Sequence, residues 1–203
     1  MPSKGWIKEV GRADEIPPSY EANGAAALSI LTDAPFFGGS LHDIAVARPL
    51  TGLPVLRKDF IIDEYQLLQA RIVGADAVLL IAAALSPEEC RTLAEEAHRL
   101  GLEVLLEIHR ESELDYVNEH IDMIGVNNRN LGSFHTDVKN SFRLAEKLPA
   151  DLLKVSESGI SDPATIKELR QAGFRGFLIG ETFMKTENPG ATLRQFINDL
   201  SCS

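Results

Sequence analysis

Several side chains able to move protons or hold anions stand directly at the ends of apolar runs. Lys58-Asp59 follows the run 54–57, and Glu107 and His109 close the run 104–108. Asn127-Asn128-Arg129 follows 123–126, Glu157-Ser158-Gly159 follows 152–156, and Gly180-Glu181 follows 176–179. A lysine against an apolar wall can have its pKa lowered and donate a proton, while a nearby carboxylate takes the complementary one. Lys58 and Glu107 are therefore the acid–base candidates; a structural ion pair between them is the competing reading. Asp59 reads as a loop or helix-start residue. Arg129 offers a fork suited to a carboxylate or phosphate, with the Asn127 amide beside it. The glycines of Ser158-Gly159 and Gly180-Glu181 stand where backbone N–H groups can approach an anion, or else they only turn the chain. Phe36-Phe37 and Phe60 can close over a planar ring or simply pack between loops. His109 could reach the same place as Glu107, whereas His42, His98, His120 and His135 are scattered and read as surface or packing residues. The residues show neither metal-ligand spacing nor a G-x-S-x-G elbow, so no metal and no serine nucleophile are expected.

These groups need elements to position them. The runs 27–31, 54–57, 77–82, 104–108, 123–126, 152–156 and 176–179 are nearly continuous in Val, Ile and Leu, the pattern of strands covered on both faces in a parallel sheet. Helical patterns lie between them. Asp63 with Gln66 resembles a capping box closed by Gly74, and Ser86-Pro87-Glu88-Glu89 opens a helix closed by Gly101. Asp162-Pro163 opens another, ended by Gly173, and the pairs Leu114/Val117 and Leu144/Leu148 continue helical spacing. Pro17-Pro18 limits any helix there to a turn or two starting near Pro17, because an interior proline costs ~3 kcal/mol.

Strand starts recur at roughly 20 to 30 residues, one βα unit each, for seven units. The first βα turn carries no G-x-G-x-x-G, which weakens an open dinucleotide-binding sheet. In a (β/α)8 barrel the C-terminal strand ends converge on one face, where active sites lie. An α/β barrel with one unit unaccounted for is the reading, as a single domain over 1–203, since no linker divides the chain.

Composition bounds the partners. Of 203 residues, 44% are hydrophobic and 25% charged, an ordinary globular balance that excludes disorder and low-complexity architectures. Thirty acidic against twenty basic residues give a net charge of -10, which disfavours nucleic acid as a partner. Cys90 and Cys202 make no disulfide framework and suit a reducing cytosol. The longest apolar run, 77–85, falls far short of the ~18 residues a membrane span needs. No basic segment followed by an apolar stretch opens the sequence. A cytoplasmic protein with no membrane partner is expected.

The strings Pro2-Ser3-Lys4-Gly5, Leu31-Thr32-Asp33, Pro35-Phe36-Phe37, Arg57-Lys58-Asp59-Phe60, Glu107-Ile108-His109, Asn127-Asn128-Arg129-Asn130-Leu131, Glu157-Ser158-Gly159-Ile160 and Ile179-Gly180-Glu181 run in this order. With Tyr20-Glu21-Ala22-Asn23-Gly24 between the first two, they resemble the indole-3-glycerol phosphate synthase family over nearly the whole chain. The resemblance implies a (β/α)8 TIM barrel that closes the pyrrole ring of 1-(2-carboxyphenylamino)-1-deoxyribulose 5-phosphate in tryptophan biosynthesis, expelling carbon dioxide and water without a cofactor. It implies Lys58 as general acid toward the ribulose carbonyl or hydroxyl, and Glu107 as the group handling the proton in dehydration. Asn127, Arg129 and Glu157 would bind polar groups of the substrate. The phosphate would lie on Ser158-Gly159 and Gly180-Glu181 with help from Ser3, and Phe37, Phe60 and Leu131 would line the aromatic pocket.

Family chains place N-terminal helices and a strand bearing an E-x-K pair just before the stretch matched by Pro2-Ser3, and here Met1 directly precedes it. The resemblance thus implies an N-terminally truncated barrel without its first strand. Three readings of function follow: an active synthase, an impaired remnant that only binds a phosphorylated ligand, or a related phosphate-binding barrel isomerase. A monomer is expected, with self-association through an open strand edge as the alternative.

Overall fold

The computed structural model describes residues 11–130 and 135–201, without the side chains of Phe36 and Phe37. In chain order the elements are α1 (Ile16–Ala22), β1 (Leu28–Leu31), α2 (Ala34–Phe37), α3 (Leu41–Ala47), β2 (Val55–Lys58), α4 (Glu64–Val73), β3 (Ala77–Ile81), α5 (Pro87–Arg99) and β4 (Glu103–Ile108). A 3-10 segment (Glu111–Tyr116) replaces a helix before β5 (Met123–Asn127); then come α6 (Lys139–Ala145), β6 (Leu153–Glu157), α7 (Pro163–Gln171), β7 (Gly176–Leu178), α8 (Glu181–Met184) and α9 (Pro189–Ser201).

The seven strands among the described residues are all parallel and pair in sequence order from β1 to β7, forming a nearly closed barrel wrapped by helices. β1 and β7 stand at the two ends of this order and are less buried than β3 and β4. No described helix is long and apolar enough to cross a membrane.

Helix limits follow the expected signals. Asp63 and Gln66 cap α4 reciprocally, Ser86 and Glu89 cap α5, and Asp162 with Pro163 opens α7. α1 is a two-turn helix with its prolines in the first turn, where a missing N–H costs nothing. Two expectations need correction. Leu114 and Val117 do not share an α-helix, because Glu111–Tyr116 closes as a 3-10 segment. α6 ends at Ala145, short of Leu148.

Alternation along the strands creates two apolar layers. Val78, Leu80, Val104, Leu106, Ile124 and Val126 point outward and meet the helices in the larger core. Leu79, Ile81, Leu105 and Val155, with Leu56, Met123 and Leu178, form a separate inner cluster that fills the barrel.

A buried polar latch ties β1 to β2. Arg57 donates from Nη2 to Asp59 Oδ2 at 2.7 Å, the Thr32 hydroxyl donates to the same oxygen at 2.6 Å, and Arg57 Nη1 donates to the Gln66 carbonyl of α4. Asp59 Oδ1 accepts the Phe60 N–H at 2.8 Å. Asp59 is therefore a loop residue, as expected, but no helix start; the cap of α4 is Asp63. Removing one partner of a buried pair strands the other charge, at a cost of about 3–5 kcal/mol. Asp59→Ala should lower the unfolding free energy by that order in urea titration, and much more than Asp14→Ala, whose partner Arg12 is half exposed.

Candidate active site

β2, β5 and β6 each run one residue past their apolar runs, so Lys58, Asn127 and Glu157 sit on the hydrogen-bonded ladder itself rather than on the loops beyond it. Glu107 pairs with Ile81 and Gly125 across the β3–β4–β5 ladder. On each strand the chemical group follows an inner-cluster residue by two positions: Leu56 then Lys58, Leu105 then Glu107, Val155 then Glu157. Side-chain alternation therefore carries all three to the top of the barrel interior.

They meet there. Lys58 Nζ donates to Glu107 Oε2 at 3.2 Å and to Glu157 Oε2 at 3.5 Å. Both carboxyl side chains are 2% exposed, so their mutual influence is little screened by water. The Asn127 side chain hydrogen-bonds Glu107, and Asn127 Oδ1 accepts the Arg129 N–H at 2.9 Å. Gly125 makes room: a Cβ there would lie 2.1 Å from Glu157 Oε1.

The three groups set one another's ionisation. Burial disfavours the Lys58 ammonium, but the attraction of Glu107 and then Glu157 outweighs it, so its pKa is raised. This corrects the expected lowering: the apolar wall is present, but two carboxyls face the amine across it. Burial opposes the Glu107 carboxylate too, and Lys58, His109 and Asn127 together overcome that and pull it below its usual range. Glu157 goes the other way. Burial raises it, Lys58 pulls it down, and the Glu107 charge pushes it up again, to about 8. At neutral pH the cluster thus holds an ammonium, a carboxylate and a protonated carboxyl: two proton donors and one acceptor around one space.

The remaining predicted residues lie on the same rim. Arg129 Nη2 donates to Glu181 Oε2 at 3.3 Å, joining the β5 loop to the first turn of α8. Ser158 adopts φ 67° and Gly159 φ 75°, making a sharp turn after β6. A Cβ on Gly159 would lie 2.5 Å from Thr136. Gly180 caps α8, and the Thr182 hydroxyl donates to the Ile160 carbonyl at 2.7 Å, tying the two glycine loops together. Phe60 packs on the inner cluster. Ser3 and Leu131 lie outside the described residues, as does the side chain of Phe37.

Sequence reasoning missed Asn128 as a latch. Its amide donates to the Ser158 carbonyl at 3.0 Å and to Ser156 Oγ at 3.2 Å, while its Oδ1 accepts from Ser141 Oγ at 2.9 Å. The signal was available in parity, since Asn128 and Ser156 stand on the outward positions next to Asn127 and Glu157.

Because Glu157 holds its proton up to about 8 in the fold against an ordinary 4.5, the folded chain binds a proton that the unfolded chain releases between those values. Its contribution to stability is complete below pH 4.5 and is lost as pH rises toward 8. Glu157→Gln, which copies the protonated acid, should therefore gain stability over the parent progressively from pH 5 to pH 8, read as urea midpoints at each pH.

A family model described as indole-3-glycerol phosphate synthase matches residues 1–196. The indole-3-glycerol phosphate synthase of Bacteroides thetaiotaomicron is 71% identical over 199 residues, 98% of this chain and 76% of that protein. The synthase of Koribacter versatilis is 48% identical over 97% of this chain and 76% of its own length. The crystal structure of KGPDC from Streptococcus mutans superposes with a TM-score of 0.73 at 14% identity, covering 93% of this chain and 90% of that one, which bears on the fold alone. With a barrel whose rim carries the acid–base cluster, and a family match spanning nearly all its residues, the chain belongs to the indole-3-glycerol phosphate synthase family.

Proposed function

We propose that the rim cluster converts 1-(2-carboxyphenylamino)-1-deoxyribulose 5-phosphate to indole-3-glycerol phosphate. The observation that carries the assignment of roles is Lys58 Nζ held between Glu107 and Glu157 above a dry apolar layer. The reaction forms a carbon–carbon bond between the anthranilate ring and the ribulose carbonyl, then loses carbon dioxide and water. No electrons are exchanged with an outside carrier, so acid–base groups suffice.

Attack on the carbonyl places negative charge on its oxygen. The Lys58 ammonium is kept charged by its two carboxyl neighbours and meets that charge where water screens it little. It then delivers a proton to make the hydroxyl. Loss of carbon dioxide returns the electron pair to the aromatic ring. In dehydration the hydroxyl leaves as water on receiving a proton from Lys58, whose amine has regained one from solvent, and the adjacent ring carbon gives its proton to Glu107, the acceptor of the cluster. The Arg129 guanidinium and the Asn127 amide hold the substrate's anionic and polar groups. The turns at Ser158-Gly159 and Gly180-Glu181 receive the phosphate, and Phe60 lies against the ring.

The test is indole formation by the purified chain, followed by the chromophore of the product. Lys58→Ala should lower kcat by about 10²–10⁴-fold, the usual worth of a positioned acid or base, while binding of indole-3-glycerol phosphate persists. Product binding without turnover in the parent chain would establish a binding-only protein instead. Unchanged turnover in Lys58→Ala would remove the lysine from the chemistry.

A further inference from the structure

His109 follows Glu107 by two positions, so the same alternation that brings Glu107 over the barrel brings the imidazole beside it. Its Nε2 lies 3.4 Å from Glu107 Oε1, the oxygen that Lys58 leaves free. Its Nδ1 lies 3.9 Å from Oε2 of Glu113, a carboxylate that is itself 3% exposed. Glu113 is fixed in place: it accepts the His109 backbone N–H at 2.6 Å and Arg110 Nε at 2.8 Å. The His109 carbonyl accepts Asn140 Nδ2 at 3.1 Å, and the same amide reaches the Asn127 carbonyl at 3.2 Å, so α6 clamps the ends of β4 and β5. Both ring nitrogens are buried and neither completes a hydrogen bond among the described residues. A buried imidazole so placed is unsatisfied unless it engages the carboxylates on its two sides.

We propose that His109, oriented by Glu113, is a positioning residue that holds the Glu107 carboxylate ionised and aimed for proton abstraction. The arrangement is a carboxylate–imidazole–carboxylate line running out of the site: Glu107, His109, Glu113, with Arg110 at its outer end. Lys58 from β2 bonds one oxygen of Glu107 and the imidazole of His109 stands against the other, so rotation of the carboxylate would break the first and move it off the second. The remaining charges around the line are Glu157 from β6, across Lys58, and Asp137, Lys139 and Arg143 with His135 in the 440 Å³ cleft that His109 also lines.

This inference rests on the reading of Glu107 as the proton acceptor, and the test separates the two. The direct readout needs no turnover: the side-chain carboxyl resonance of Glu107, assigned by its loss in Glu107→Gln, followed against pH in the carbon-13-labelled chain. In His109→Gln the midpoint of that titration should rise by about one unit, the tenfold change expected when one favourable charge partner is lost. Glu113→Gln should shift it in the same direction by less, because the imidazole remains but loses its brace. In the pH profile of kcat/KM, the acid limb of His109→Gln should move up with it, leaving the rate near pH 7 less affected than the rate near pH 5. An unshifted Glu107 titration in a folded His109→Gln chain overturns the inference and leaves the role of Glu107 standing. A Glu107→Gln chain that turns over like the parent overturns the role of Glu107 itself, whatever the titration shows.

Discussion

Taking an ammonium and two carboxyl groups out of water at one point is the costly act around which this barrel is arranged. A lone buried charge is expensive, and removal of a partner leaves the others stranded. Lys58, Glu107 and Glu157 resolve that cost by sharing: one cation, one anion and one retained proton, so that the cluster carries no net charge at neutral pH. Glu107 and Glu157 reach opposite states from the same side-chain chemistry. The difference lies in neighbours, since His109 and Asn127 support the charge on Glu107 while Glu157 Oε1 has no hydrogen-bond partner among the described residues and lies against Gly125. Division of labour between two carboxyls comes from unequal solvation, as in other acid–base pairs.

Such a cluster tolerates little movement, and the outward-facing polar residues supply the stiffness. Arg57 alternates with Lys58 on β2 and is locked to Asp59, Thr32 and α4. Ser156 alternates with Glu157 on β6 and is locked with Asn128 and Ser141. On these strands the residue next to a site group is a buried hydrogen-bonding anchor on the opposite face. A displaced anchor would tilt the pleat and carry the site group with it. The Asn128 latch also reaches the Ser158 carbonyl, and Ser158 is the one non-glycine residue with positive φ among those described. The left-handed conformation costs a side-chain-bearing residue roughly 1–2 kcal/mol, and the latch is what holds it there.

The barrel was legible in the sequence because its two requirements leave separate marks. Strands buried on both faces read as unbroken apolar runs, and the turns that reverse direction read as capping boxes and closing glycines at Asp63, Ser86, Asp162, Gly74, Gly101 and Gly173. The convergence of Lys58, Glu107 and Glu157 followed from strand ends alone. Their protonation did not. A lowered lysine pKa is the correct inference for an amine facing apolar groups only, and strand position cannot say that two carboxyls face it as well. The latch made by Asp59 was not legible for a related reason: its partner Arg57 is two residues away in sequence, but the burial that makes the pair structural comes from Thr32 and α4. The 3-10 segment before β5 escaped because Leu114 and Val117, three apart, suit either helix type.

The same segment explains why the sequence spacing around His109 looked incidental. Glu113 stands at the third position of the Glu111–Tyr116 segment and reaches back over its start, as Gln66 does in α4, so that its carboxylate accepts from the backbone of His109 and from Arg110. A buried carboxylate there has little reason to exist for stability alone, since an apolar residue of similar volume would avoid its desolvation. What it gains is direction: it faces an imidazole whose other nitrogen faces Glu107. The reach-back that caps the start of this segment and the burial of Glu113 are therefore one feature, which sets a carboxylate against the imidazole beside it.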